Sequence, residues 1–189
     1  MEIVLLERNI NKYQILKNTF RHEKEIEVVN DELAHFLDTN NIECIVSPAN
    51  SFGLMDGGYD LAISEYFGNS LQKKVQKYII DNYYGEQPVG TSFIIKIDKT
   101  NKYLIHTPTM RIPEPIVDKT IIYQCMRTTL MEAYKNNIKS IVIPMFGGSA
   151  GEVDPLTISK LMLLAYKQIK NPDKKISWDH ILYFEPRKM

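Results

Sequence analysis

Residues 45–63 constrain this chain more than any other stretch. They read Ile-Val-Ser-Pro-Ala-Asn-Ser-Phe-Gly-Leu-Met-Asp-Gly-Gly-Tyr-Asp-Leu-Ala-Ile. A β-branched pair, Ile45 and Val46, ends in Ser-Pro-Ala-Asn, passes through three glycines and enters an amphipathic helical pattern. A strand, a glycine-rich loop and a helix N-terminus in that order form an anion cradle. Gly53, Gly57 and Gly58 let backbone approach a ligand closely, and the first helical N–H groups point at its negative charge. No lysine follows the glycines and their spacing is not G-x-G-x-x-G, so the familiar phosphate loops are excluded. An ordinary strand-to-helix turn is the plain alternative. What sets the stretch apart is a polar pair, Asn50 and Asp60, bracketing the glycines.

The rest of the chain alternates in the same way. Strand-like runs fall at 2–6, 25–29, 43–47, 91–97, 102–106, 139–144 and 180–184. Helical patterns lie between them. Tyr13, Leu16 and Phe20 mark the first; Leu33, Phe36 and Leu37 mark a second, with Asn30 or Asp31 as its N-cap. Ile63, Phe67, Leu71, Val75 and Ile79 form an unbroken i, i+4 stripe on a third, and Ile122, Met126 and Leu130 begin a fourth. The fifth opens with Asp154 as cap and Pro155 at the first helical position, with Leu161, Met162 and Ala165 inward. This alternation predicts an α/β sandwich with a largely parallel central sheet. At 189 residues the chain is expected to be one domain, 1–189, with a full core. The segments 81–90 and 107–118 read as irregular. The second carries three prolines, which makes it stiff, and a loop that long in a compact domain is usually functional.

Composition narrows the partners. Lys plus Arg equals Asp plus Glu at 23 each, giving a net charge of zero. A general nucleic-acid surface needs a clustered basic excess, so nucleic acid is not an expected partner. The basic tail (Lys170, Lys174, Lys175) reads as solvated surface. Cys44 and Cys125 read as buried free thiols in a strand and a helix, which fits a reducing compartment. The N-terminal apolar run of four residues is too short for a signal peptide, and no stretch has the apolar length of a membrane span. The expected location is the cytoplasm, or the host cytoplasm if the source is viral. A monomer or small homo-oligomer is expected.

In open α/β sheets, ligands bind beyond the carboxyl ends of parallel strands. Strands ending near Val46 and Ile143 both feed glycine-bearing loops there. In the second loop, Phe146-Gly147-Gly148-Ser149-Ala150-Gly151, three glycines supply close approach and Ser149 a hydroxyl. The positive end of the following helix is placed to favour phosphates. A diphosphate clamped between the two loops fits this layout, and a turn needing glycine for geometry alone remains the alternative. The Asn50 amide suits adjacent sugar hydroxyls. Asp60 is the acid/base candidate, and a position at a helix N-terminus would lower its basicity, so that it orients water more than it deprotonates it. His106 reads as a core or rim residue without a clear partner. No Ser-His-Asp set and no metal-ligand spacing is legible, and neither a metal nor a cofactor is expected.

These same residues resemble the macrodomain family of ADP-ribose-binding modules. Residues 45–63 are similar to the family's first ligand loop, and Pro144 to Gly151 to its second glycine-rich loop. Pro88-Val89-Gly90 resembles the Pro-x-Gly before a central strand. Pro108-Thr109-Met110-Arg111-Ile112-Pro113 is similar to a loop of a subgroup found in bacteria, phages and large viruses. The resemblance spans residues 25–170 and implies a three-layer α/β/α sandwich with a mixed, largely parallel sheet. It implies ADP-ribose or a related nucleotide as ligand, ADP-ribosylated protein as a further partner, and hydrolysis at the distal ribose, with a non-catalytic reader as the alternative. By the same resemblance Asn50 holds the distal ribose, Asp60 acts on water at its anomeric carbon, and Ala49, Gly57, Gly58 and Tyr59 line the first loop. Adenine falls to an acid at the start of the second helix, where Asp31 and Glu32 both qualify, and to an aromatic face from Phe184 at the end of the last strand. Departures are Tyr59 in place of valine, Met55-Asp56 in place of part of the glycine run, and Gly148-Ser149 in place of Gly-Thr-Gly. A subgroup acting on ADP-ribosyl-thymidine uses a loop lysine, and no lysine occurs between 47 and 72.

Overall fold

A computed structural model describes residues 1–172 and 175–189; Lys174 lies outside them. Six strands, β1 (Glu2–Leu6), β2 (Ile26–Val29), β3 (Cys44–Ser47), β4 (Phe93–Lys96), β5 (Tyr103–His106) and β6 (Ser140–Pro144), form one sheet in the order β2-β1-β6-β3-β5-β4. All neighbours pair in parallel except β4, which runs antiparallel to β5 at the edge. The strand after Pro88-Val89-Gly90 is therefore an edge strand and not a central one. An edge suits it, because Lys96 is exposed there and charge blunts further pairing.

Side chains alternate across the sheet and so divide the core into two halves. Ile3, Leu5, Val46, Ile105, Ile141 and Ile143 point to one face, where they meet α1 (Ile10–Phe20), α5 (Thr120–Lys135) and α6 (Pro155–Lys170). Val4, Leu6, Ile45, Leu104 and Val142 point to the other, against α2 (Leu33–Thr39), α3 (Gly58–Phe67) and α4 (Ser70–Tyr83). The molecule is a three-layer α/β/α sandwich with a mixed, largely parallel sheet. Cys44 and Cys125 are buried free thiols. Asp154 caps α6, accepting from the Thr157 N–H at 2.9 Å, with Pro155 at the first position.

Four further expectations are corrected. Residues 81–83 continue α4 and do not open the irregular segment expected at 81–90. The apolar stripe from Ile63 to Ile79 belongs to two helices. Gly68 turns the chain between them at φ +91, and its N–H closes α3 on the Ser64 carbonyl. The stripe still reads as continuous because both helices present that face to the same half of the core. Residues 180–184 are not a strand: α7 (Trp178–Tyr183) takes them, capped by the Ser177 hydroxyl on the His180 N–H at 3.3 Å. Short apolar runs do not discriminate helix from strand by periodicity, and here a serine cap decides. The N-cap of α2 is Glu32, without a side-chain cap bond. Asn30 instead donates to the Glu7 and Arg8 carbonyls at 2.7 and 2.9 Å, fastening the β1–α1 turn.

Gly68 has no atom within 4 Å of a built Cβ, so a substitution there meets only backbone strain. Gly68→Ala and Gly68→Asn should each lower unfolding stability by about 1–3 kcal/mol, because φ 91 with ψ 154 lies outside the left-handed helical region that asparagine tolerates. Equilibrium urea unfolding of the three proteins measures this.

Candidate functional site

Parallel pairing puts the carboxyl ends of β2, β1, β6, β3 and β5 along one edge, with Leu6 opposite both Val29 and Pro144, and Ser47 opposite His106. A cleft of about 450 Å³ opens beyond that edge. Its walls include Asp31, Glu32, Ala49, Asn50, Gly57, Gly58, Tyr59, Asp60, Gly147, Gly148, Ser149, Ala150 and Gly151. Two expected residues are not brought there. Phe146 is fully buried in the core half beneath α5 and α6. Phe184 ends α7 and packs against His180 and Tyr183, beside Lys167 and Lys170 at a separate surface depression.

The proline-bearing segment 107–118 braces both glycine loops. It prolongs the β3–β5 pairing past the strand ends: Ala49 N–H donates to the Thr107 carbonyl at 3.1 Å and Thr109 N–H to the Ala49 carbonyl at 2.9 Å. Asn50 then bridges Met110, and the Ser51 N–H reaches the Arg111 carbonyl. At its far end the Ile116 N–H donates to the Gly151 carbonyl at 2.9 Å. Two glycines are fixed from within the protein, and Gly147 also holds φ +71, a conformation L side chains rarely adopt. A Cβ on Gly147 would lie 2.9 Å from Ile116 Cδ1 and 2.7 Å from Ile122 Cδ1, and one on Gly151 would lie 2.7 Å from the Gly147 carbonyl oxygen. These two are glycine for packing and backbone approach within the protein. Gly57 differs: φ is −150, a region open to any residue, and nothing lies within 4 Å of its Cβ position.

Asp60 sits in the first turn of α3, 7% exposed, on the cleft wall. The Ser47 hydroxyl donates to its Oδ1 at 2.6 Å. Burial pushes this carboxyl up to about 7; the Ser47 bond pulls it back down and the Asp56 charge adds to the rise. The reading of a depressed basicity is thus reversed, because desolvation outweighs the helix terminus. That terminus remains open to a ligand, since its N-cap, Gly57, makes no side-chain cap bond. The start of α6 does not serve in this way: the Asp154 carboxylate occupies its N-terminus, and neither Asp154 nor Pro155 lines the cleft.

The Asn50 amide is engaged within its own loop. Its oxygen accepts from the Phe52 and Leu54 N–H groups at 3.1 and 3.3 Å, and its nitrogen donates to the Leu54 carbonyl at 2.8 Å. One N–H remains for a ligand. Asp31 takes the Glu32 N–H at 2.8 Å and His35 Nδ1 at 2.7 Å, and the His35 bond holds its carboxyl below the usual range. Glu32 pairs loosely with Arg8 at 3.7 Å. The Tyr59 hydroxyl is buried without a partner, and burial raises its titration well above the ordinary phenol range. His106 is fully buried, stacked on Phe93 with Nδ1 2.7 Å from Gln87 Oε1, and burial lowers it to about 3; it lies in the core. Among the described residues no group of three His, Cys, Asp or Glu is placed to hold a metal, and no helix is long and apolar enough to cross a membrane.

Sequence reasoning missed Ser47, the β1–α1 turn with Glu7, Arg8 and Asn9, and Lys12 in the first turn of α1, the last four of these residues lining the cleft. The carboxyl-end rule that located the two glycine loops applies equally to β1, which lies beside β6 in the sheet.

The Macro domain family model matches residues 46–162. An uncharacterized protein of Aquifex aeolicus (strain VF5) is 31% identical over 123 residues, 64% of this chain and 70% of that protein. A mutant of the Oceanobacillus iheyensis macrodomain, solved with ADPR, superposes with a TM-score of 0.61 at 22% identity, over 79% of this chain and 86% of that one. The macrodomain of Mycobacterium tuberculosis DarG gives 0.62 at 19% identity, over 75% and 89%. At such identities the solved structures report the fold.

The elevated Asp60 carboxyl has a stability signature. The folded chain keeps this proton up to about 7, whereas an unfolded aspartate releases it near 3.8. Between those values the folded state binds more protons, so Asp60 erodes stability as pH rises from about 4 to about 7 and no further above that. Asp60→Asn removes the loss. Its stability relative to the native chain should climb across that window by up to about 1.4 kcal/mol per pH unit, as read by urea unfolding at a series of pH values.

Proposed function

Because the chain belongs to the macro domain family, we propose that its cleft binds ADP-ribose or a close derivative and that Asp60 drives hydrolysis at the distal ribose. The observation that carries this reading is the buried Asp60 carboxyl, held by Ser47 on the cleft wall and tuned to about 7. A general base works best when its pKa lies near the working pH. The Oceanobacillus iheyensis relative solved with ADPR supports the choice of ligand. In this reading the diphosphate lies between Gly57–Gly58 and Gly147–Gly151, against the open N-terminus of α3. Adenine lies toward Asp31 and Glu32. The distal ribose meets the remaining N–H of Asn50.

The chemistry then balances simply. A water oxygen bonds to the anomeric carbon, the bond from that carbon to the leaving oxygen breaks, and Asp60 takes the water proton. The leaving group is a protein side chain or a 1″-phosphate. Asn50 acts chiefly by fixing the 50–54 loop, with one N–H available to the sugar. A non-catalytic reader is the second reading, and that commitment of the Asn50 amide to its own loop is the observation that favours it.

Single-turnover release of ADP-ribose from modified protein and of phosphate from ADP-ribose 1″-phosphate, beside calorimetric binding, decides between the two. Asp60→Asn should slow turnover by about 10²–10⁴-fold while largely keeping ADP-ribose affinity. The native rate should rise with pH through about 7 and then level, since the ionised carboxylate is the working form. Gly57→Val, which adds bulk at an unstrained position of the wall, should weaken ADP-ribose by at least about tenfold without loss of fold. Tight binding with no turnover of either substrate by the native chain would establish the reader.

A further inference from the structure

Lys12 lies outside the segment that the family model matches, yet its side chain crosses from α1 to the second glycine loop. Its Nζ donates to the Gly148 carbonyl at 2.6 Å. The helix holds the residue in place from behind, because the Lys12 N–H closes on Asn9 Oδ1 at 3.2 Å. Both Lys12 and Gly148 line the cleft.

The charge inventory of that cleft is unbalanced. Five acids line it, Glu7, Asp31, Glu32, Asp56 and Asp60, against two cations, Arg8 and Lys12. The two glycine loops, residues 48–60 and 145–151, contain no lysine or arginine. Arg8 is turned to Glu32. Lys12 has no carboxylate within 4.0 Å among the described residues, and a lysine ammonium has two donors to give beyond the Gly148 bond. A diphosphate entering this cleft brings negative charge into an acidic surround. Backbone N–H groups supply partial charge only, and Lys12 adds a full positive charge beside the second loop that no carboxylate neutralises within 4.0 Å among the described residues.

We propose that Lys12 is the residue that matches the charge of the ligand's diphosphate at this cleft. The inference rests on the nucleotide-binding reading of the preceding subsection. The ammonium keeps the Gly148 carbonyl, holding the loop in its receptive form, and gives its remaining donors to phosphate oxygens. Charge matching thus comes from the first turn of α1 as well as from the glycine loops.

The test is calorimetric affinity of the native chain, Lys12→Met and Lys12→Arg for ADP-ribose and for ADP, repeated over a range of salt. Lys12→Met should weaken both ligands by about ten- to a hundredfold and flatten the salt dependence, while Lys12→Arg keeps most of each. Equal affinity of native and Lys12→Met for both ligands overturns the assignment. So does a loss of affinity in Lys12→Met with an unchanged salt dependence, because that reports a loop-holding bond without charge matching. Native binding of ADP-ribose with no effect at Lys12 would sink this inference and leave the proposed function standing. Lys12-dependent binding of ADP with none of ADP-ribose would do the reverse.

Discussion

The parallel register of β2, β1, β6, β3 and β5 is the constraint on which the rest depends. It sets Val29, Leu6, Pro144, Ser47 and His106 at one edge of the sheet. Every loop that shapes the cleft leaves from that edge. A parallel sheet needs helices on both faces, and the alternation of side chains along β1, β3 and β6 supplies two apolar surfaces for them to cover. Strand order, layer order and site position are therefore one decision.

Within that frame the site is built from chain segments that hold one another. Segment 107–118 pairs with the first glycine loop at Asn50 and with the second at Gly151. Its prolines limit the conformations it gives up on folding, which makes it an inexpensive brace. Asp60 is 7% exposed on the cleft wall. Ser47, at the last position of β3, holds that carboxyl, and burial raises its affinity for a proton.

Local pattern carried far into this chain. The strand, glycine loop and helix at 44–67 and the Asp154–Pro155 start of α6 are read from neighbours in sequence, because caps and turns are set by a few adjacent residues. The i, i+4 stripe misled at Gly68, since two helices facing one core keep the same spacing that one would. Phe184 was misplaced because a short apolar run has no period of its own, and Ser177 settled it as helix. The environment of Asp60 was not legible at all: its first-turn position is local, but its burial comes from the whole β3–α3 junction. Lys12 and Ser47 were invisible for the related reason that their partners, Gly148 and Asp60, are brought to them only by the sheet order. Phe146 shows the limit of motif reasoning, since a residue inside a ligand loop can face the core.

The cleft wall holds a buried carboxyl raised to about 7, beside the place proposed for a nucleotide diphosphate. Titration of the Asp60 side-chain carboxyl by carbon-13 NMR, in the free chain and with ADP-ribose added, measures it directly. An inflection near 7 in the free chain, displaced when ADP-ribose binds, is the predicted result. An inflection in the ordinary aspartate range of about 4, indifferent to ADP-ribose, would contradict the account.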